Sequence, residues 1–325
     1  RKVSYTDVFG ECLCALAETD PTLVAITAAM ASSAGLLDFA RRHPDRFYDV
    51  GIAEQHAVTF AAGLALGGLH PVVCIYSTFL QRAFDQVCLD VAMHNLPVTL
   101  VLDRAGVTGD DGSSHHGMFD LTYLRAIPNL VLATPRDAAE LGRLLATATA
   151  HPGPFALRYP KGAVPESVVD LRPLPIGRWE IVREDGTDVL LCAAGKMVAV
   201  ADNAAELLAR DGVRATVANA RFIKPLDPDL PAMARRHQAV VTVEDSTVRG
   251  GLGAAVSEAL AAAGVVRPVR HVALPDRFLP HGSQAQVLAD AGLTAEGVRD
   301  AARAALDGAA SGQRSRPPAG ERAGG

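Results

Sequence analysis

Apolar positions along the chain fall into two alternating kinds of run. Short continuous stretches (TLVAIT, RFYDV, PVVCIY, PVTLVLD, LVLATP and FALRYP) have the length and composition of strands buried on both faces. Longer segments with helical spacing, such as FLQRAFDQVCLDVAMHN and RDAAELGRLLATATA, lie between most of them. Continuous apolar strands alternating with helices predict an α/β unit built on a parallel sheet covered on both sides. Residues 162–187 break the rhythm with three prolines and are expected to form a linker with an edge hairpin carrying Trp179. The alternation then resumes through DVLLCAAG, DNAAELLARDG, TVANARFIKP, AVVTVED, AAVSEALAAAG and VRHVAL, which predicts a second, smaller α/β unit. The expected division is residues 1–161, a linker at 162–187, a second unit at 188–307 and a disordered tail at 308–325, rich in Gly, Pro, Ser and Arg.

A chain of 325 residues can bury two such cores, and 49% hydrophobic with 21% charged residues is ordinary for a globular enzyme. A net charge of −5 leaves no electrostatic footprint for nucleic acid or an anionic membrane. The most apolar stretch, TFAAGLALGGLHPVVCIY, is interrupted by glycines, His70 and Pro71, so it reads as helix, turn and strand instead of a membrane span. Five cysteines are odd in number and sit in apolar patterns; the Cys12–Cys14 pair has no second pair or histidine cluster to complete a metal site. Buried thiols in a reducing cytoplasm are expected, and no signal-peptide pattern opens the chain, which starts at Arg1.

Candidate chemistry gathers where a parallel sheet places it, in loops beyond the carboxyl ends of the strands. In DVGIAEQHAV, Glu54 opens a helix after a strand and a glycine. It is either a solvated first-turn carboxylate, favoured there by the helix dipole, or an acid shielded from water. PVVCIY runs into Tyr76, Phe79 and Arg82. PVTLVLD runs into DRAGVTGDDGSSHHGMFD with Arg104, Asp110, Asp111, His115 and His116, and FALRYP ends with Arg158 and Lys161. Singly, Tyr76 could be a core tyrosine, Arg82 and Asp85 a helix-surface pair, and the adjacent histidines solvated. Together they put cations, aromatics and a His–Asp set at one sheet edge, suited to a phosphate-bearing substrate and to proton transfer near neutral pH. The GGLG at 250–253 could bind an anion at a helix N-terminus or serve packing alone.

DVGIAEQHAVTFAAGLALGG, IYSTFLQRAFDQV, DRAGVTGDDGSSHHGMFDL, ALRYPKG and ARFIKPLD resemble the 1-deoxy-D-xylulose-5-phosphate synthases of the transketolase-like thiamine diphosphate enzymes, over residues 4–306. The β-subunits of 2-oxo acid dehydrogenases share the layout but are not expected to carry IYSTFLQRAFDQ or DRAGVTGDDG. The resemblance implies a pyrimidine-binding domain followed by a transketolase C-terminal domain. It places Glu54 at the carboxylate that shares a proton with N1′ of the cofactor's aminopyrimidine, Phe79 at the ring that stacks on it, and Ile52 where an apolar side chain supports the bent cofactor. Tyr76, Arg104 and Lys161 match positions around the phosphate of glyceraldehyde 3-phosphate, where many relatives have Arg in place of Lys161. Arg82, Asp111 and His115 match positions near the reacting carbons, with His115 the proton donor to the acceptor's carbonyl oxygen and Asp111 orienting it or balancing its charge. The implied catalytic set is Glu54, His115, Asp111 and Arg82. The implied reaction is addition of pyruvate to the cofactor, loss of carbon dioxide and attack on the aldehyde.

One departure matters. The G-D-G motif with a downstream Asn, which holds magnesium and the diphosphate in complete synthases, does not occur: GDDG at 109–112 lies in the substrate loop, and EDG at 184–186 lies in the linker without a following Asn. The expectation is therefore a half-enzyme with no metal ligand of its own, completed by a separate diphosphate-binding chain that holds most of the Mg2+ coordination, with homodimer pairing inside the assembled complex. A split transketolase-like enzyme with another donor or acceptor, or a non-catalytic partner-binding module, are the alternatives.

Overall fold

The structure, a computed structural model, describes residues 3–164 and 169–314, with side chains as far as residue 308. The first unit contains strands β1 (Leu23–Thr27), β2 (Phe47–Asp49), β3 (His70–Tyr76), β4 (Thr99–Asp103), β5 (Val131–Ala133) and β6 (Phe155–Arg158). Its helices are α1 (Tyr5–Thr19), α2 (Leu37–Arg42), α3 (Glu54–Leu66), α4 (Ser77–Leu80), α5 (Phe84–Gln86), α6 (Asp120–Arg125) and α7 (Ala138–Ala150). Strands β7 (Glu180–Glu184), β8 (Val189–Ala193), β9 (Ala215–Asn219), β10 (Phe222–Lys224), β11 (Ala239–Thr247) and β12 (Val269–Leu274) follow. Helices α8 (Met197–Arg210), α9 (Leu230–Arg236), α10 (Leu252–Ala262), α11 (Gln284–Asp290) and α12 (Ala295–Arg314) complete the chain.

The strands form a seven-stranded sheet, β10-β5-β6-β4-β3-β1-β2, and a five-stranded sheet, β12-β11-β8-β9-β7. Both are parallel except at β10 and β7, which pair antiparallel with β5 and β9. β1, β3, β4 and β6 are buried along their whole length because helices cover both faces of the sheet. One core packs Ile26, Val73, Leu100 and Leu102 under α3; the opposite one packs Phe9, Leu13, Val72 and Leu157 under α1 and α7. Where α1 crosses the turn before α2, a Cβ on Gly10 would lie 2.3 Å from the Gly35 carbonyl oxygen, so only glycine allows this approach.

The pattern needs four corrections. The expected edge hairpin around Trp179 does not form: β7 is a single edge strand, and Trp179 is tied back through Nε1–H to the Phe222 carbonyl oxygen (2.9 Å). TVANARFIKP is not one strand, because after β9 the chain turns and β10 closes the edge of the first sheet. The helix read through FLQRAFDQVCLDVAMHN is broken into α4, a 3-10 turn at 81–83, α5 and a π-turn at 87–92. The tail expected from 308 begins inside α12, whose alanine-rich sequence carries the helix to Arg314; residues 315–325, and 165–168 of the linker, lie outside the described residues.

Candidate active site

The carboxyl edges of β2, β3, β4 and β6 face one way and carry the candidate residues. Past β2, Asp49 Oδ1 accepts the backbone N–H groups of Ala29 (2.8 Å) and Gly51 (3.0 Å), fixing the turn that leads into α3. Glu54 is the first residue of that helix and is 5% exposed. Its two carboxylate oxygens meet Arg82 Nη1 at 3.3 and 3.4 Å, long contacts to a side chain that is itself 58% exposed. Arg82 reaches across to Glu54 instead of pairing with Asp85. Ile52, two residues before Glu54, projects 79% exposed.

Past β3, α4 and the turns after it set Phe79 and Arg82 on the same side as Tyr76. The Phe79 ring stacks on Tyr76 (centroids 5.8 Å apart) and meets His115 edge-on at 5.5 Å, with the Arg82 guanidinium 5.7 Å from its centre. Burial pushes the Tyr76 phenol above its ordinary range, partly offset by a hydrogen bond with Ser33 and by the Arg104 charge.

Arg104 has left-handed backbone (φ 58°), and its N–H is accepted by Asp103 at the end of β4 (2.5 Å), whose other oxygen accepts the Thr6 hydroxyl (2.8 Å). Burial raises the Asp103 carboxyl to about 6. The turn lays the Arg104 guanidinium 4.2 Å over the Tyr76 ring. Asp111 Oδ2 then accepts from both Arg104 Nη1 (3.1 Å) and Lys161 Nζ (2.9 Å). The Lys161 hydrogen bond first, then the charges of Lys161, Arg104 and His115, hold the Asp111 carboxyl below its usual range. Thr78 Oγ1 anchors the loop by donating to the Ser114 carbonyl (2.9 Å), and His115 Nδ1 lies 2.9 Å from Ser114 Oγ. Glu54, Tyr76, Phe79, Arg82, Arg104, Asp111, His115 and Lys161 thus line one edge.

Two residues read as site candidates lie elsewhere. Arg158 is 2% exposed between the two sheets, paired with Asp120 (2.8 Å) and Asp245 (2.9 Å). His116 is buried as well: Nδ1 accepts from Thr108 N–H (3.1 Å) and Nε2–H donates to the Pro280 carbonyl (3.2 Å), which pins the neutral tautomer. The GGLG turn does receive an anion at its helix, but the anion is the chain's own Glu244, which accepts Leu252 and Gly253 N–H, each at 2.8 Å. Ser33, Asp103 and Gln284 support the site and were not picked out in the sequence; only Asp103 carried a signal, as a carboxylate closing an apolar strand. Among the described residues no group of three or more His, Cys, Asp or Glu side chains is placed to hold a metal ion, and no helix is long and apolar enough to cross a membrane.

Comparison with known proteins matches residues 1–167 to the pyrimidine-binding domain of transketolase and residues 177–298 to the transketolase C-terminal domain. The chain is 54% identical over 307 residues to the 1-deoxy-D-xylulose-5-phosphate synthase of Symbiobacterium thermophilum, with 94% of this chain and 47% of that protein covered. It is 52% identical over 309 residues to that of Aquifex aeolicus, covering 94% of this chain and 49% of that one. It therefore spans about half the length of the curated relatives it matches. Among solved structures, a split-gene transketolase described as an inactive beta4 tetramer superposes with a TM-score of 0.83 at 34% identity, covering 94% of this chain and 99% of that one. With residues 1–167 and 177–298 matched in that order, the chain belongs to the transketolase family and carries that family's pyrimidine-binding and C-terminal domains.

Proposed function

We propose that this chain is one half of a thiamine diphosphate-dependent synthase that condenses pyruvate, with loss of carbon dioxide, and glyceraldehyde 3-phosphate to 1-deoxy-D-xylulose 5-phosphate. The assembly is cytoplasmic, and the other half is a diphosphate-binding chain that contributes most of the Mg2+ coordination, assembled on paired copies of this one. The observation that carries the reading is Glu54, a buried carboxylate in a long ion pair with an exposed arginine that itself lies over the Phe79 ring. A carboxylate with spare acceptor capacity, linked through Arg82 to an aromatic ring, fits an aminopyrimidine, which offers a ring nitrogen and a stacking plane.

Thiamine diphosphate, when bound, supplies the carbon nucleophile that adds to the 2-oxo carbon of pyruvate and takes up the electron pair freed as carbon dioxide leaves. With the cofactor bound, Glu54 would hold a proton at the pyrimidine N1′, Phe79 would stack on the ring, and Ile52 would give it apolar support. Arg104 and Lys161 bind the acceptor phosphate against Tyr76, and for this they release Asp111. His115 gives a proton to the acceptor's carbonyl oxygen as the new carbon–carbon bond forms, with Asp111 and Arg82 setting the charge around it.

The test mixes the purified chain with a recombinant diphosphate-binding chain, thiamine diphosphate and Mg2+, and follows carbon dioxide release from pyruvate with and without glyceraldehyde 3-phosphate. Turnover by the mixture and by neither chain alone supports the reading; an inert mixture that nevertheless forms a complex removes it. A second reading, a split transketolase-like enzyme with other substrates, draws on the likeness to a split-gene transketolase and on Lys161. Turnover of a ketose phosphate donor, but not of pyruvate, selects it.

A further inference from the structure

The loop that carries Arg104, Asp111 and His115 is held from behind by a segment of the second unit, residues 279–284. Ser113 Oγ donates to the Leu279 carbonyl (2.7 Å), and His116 Nε2 donates to the Pro280 carbonyl (3.2 Å). Gly109, in left-handed backbone (φ 92°), lies so close that a Cβ there would sit 3.1 Å from the Gly282 carbonyl oxygen and 3.0 Å from the Gln284 nitrogen. Beside these contacts the half-buried Gln284 side chain enters between two loops. Its Nε2 donates to the Val107 carbonyl (2.6 Å), in the loop after β4, and to the Lys161 carbonyl (3.1 Å), in the loop after β6.

We propose that Gln284 is a positioning residue that sets the spacing of the two cations for the acceptor phosphate, by tying the Arg104 loop and the Lys161 loop together through one amide. The inference rests on reading Arg104 and Lys161 as phosphate ligands. Its physical basis is independent of that reading. A primary amide carries two N–H bonds in a fixed plane and so can serve two carbonyls at once at a set separation. On the open side of the same loops Asp111 bridges the two cations, so a phosphate that takes them from Asp111 removes that tie. The Gln284 amide, supplied by the C-terminal unit, then remains as a side-chain link between the loops, beside the backbone bond from the Ala105 N–H to the Tyr159 carbonyl (3.0 Å).

Two variants separate the amide from its bulk. Gln284→Met keeps the length without donors, and Gln284→Glu presents carboxylate oxygens to two carbonyls. Hydrogen exchange of the full-length chain should show the peptides covering 105–117 and 159–164 exchanging faster together in both variants, with the α1 and α7 peptides unchanged. Unchanged exchange in either loop overturns the proposal, as does a general rise across the first sheet. In the assembled enzyme, Gln284→Met should raise KM for glyceraldehyde 3-phosphate by about tenfold, with kcat within about twofold and a smaller change for unphosphorylated glyceraldehyde. An equal fall in kcat and kcat/KM for both aldehydes also overturns it. If both loops loosen together but the assembled wild type does not use the phosphorylated aldehyde, the tie stands and the substrate reading fails.

Discussion

Two buried glutamates, Glu54 and Glu244, each stand at the carboxyl edge of a parallel sheet beside the start of a helix, and they are finished differently. Glu244 is 1% exposed and accepts two backbone N–H groups of α10 at 2.8 Å each. The turn is built around it, since a Cβ on Gly251 would lie 2.0 Å from a carboxylate oxygen. Glu54 is nearly as buried, yet among the described residues it meets only the solvent-facing Arg82, at 3.3 Å or more. The second sheet thus closes its anion site with its own side chain, whereas the first leaves a dry carboxylate with acceptor capacity to spare. Buried polar groups are normally well satisfied internally, so a buried carboxylate held only by long contacts to an exposed partner is a better guide to a ligand than burial or position on a helix.

The comparison predicts that the two edges fail in different ways. At the open edge, Glu54→Ala should leave the chain folded, with its unfolding midpoint in urea little changed, and lower turnover of the assembled enzyme by roughly 10²–10⁴-fold, the range for a lost proton-transfer group. Undiminished turnover would place the catalytic carboxylate elsewhere. Between the two sheets, Arg158→Met should leave Asp120 and Asp245 buried without their shared cation and lower stability by about 3–5 kcal/mol, read from urea unfolding of the chain alone. A loss below about 1 kcal/mol would mean that water reaches these carboxylates.

A smaller effect tests Glu244 itself. Burial raises its carboxyl from 4.5 to about 7, against the pull of the two N–H donors. Between those values the folded state holds a proton that the unfolded chain releases. The stabilisation from this group is complete below pH 4.5 and lost as pH rises through 7, on the order of 3 kcal/mol at most. Glu244→Gln titrates nowhere in this window. The stability of the wild type relative to the variant should therefore fall between pH 5 and pH 8, and a constant difference would show that the carboxylate stays ionised on its two donors.

Much of this architecture could be read from apolar runs, because strands covered on both faces need continuous hydrophobicity and end where polarity begins. That rule led to Tyr76, Arg104 and Lys161 and to the loops that carry Asp111 and His115. It also led to Arg158, and there it failed: a charged residue ending a strand can face solvent or the second unit, and only the pairing with Asp245, 87 residues away, decides. Thr6 and Gln284 were illegible for the same reason, since their partners lie 97 and 123–177 residues distant. GGLG was legible as an anion-binding turn, but nothing local revealed that Glu244 would fill it. β10 was lost inside a longer apolar run because its change of sheet depends on the free edge of β5.

The smallest effect concerns Lys161 at the open edge. Its ammonium is a compact charge that meets Asp111 through a single oxygen, Oδ2, which Arg104 also uses. A lysine therefore contributes charge to a phosphate site without fixing the phosphate's rotation, whereas an arginine offers two parallel N–H donors to two oxygens. In the assembled enzyme, Lys161→Arg should lower KM for glyceraldehyde 3-phosphate by about twofold to fivefold and leave unphosphorylated glyceraldehyde unaffected. The gain is bounded because the same fork also grips Asp111 more firmly, so the phosphate displaces a stronger internal competitor. If KM rises instead, competition by Asp111 outweighs the bidentate contact, and a second change, Asp111→Asn in the Lys161→Arg background, should bring KM back down while slowing turnover. If KM for the unphosphorylated aldehyde moves equally, Lys161 does not read the phosphate, and the acceptor is better sought among aldehydes that lack one.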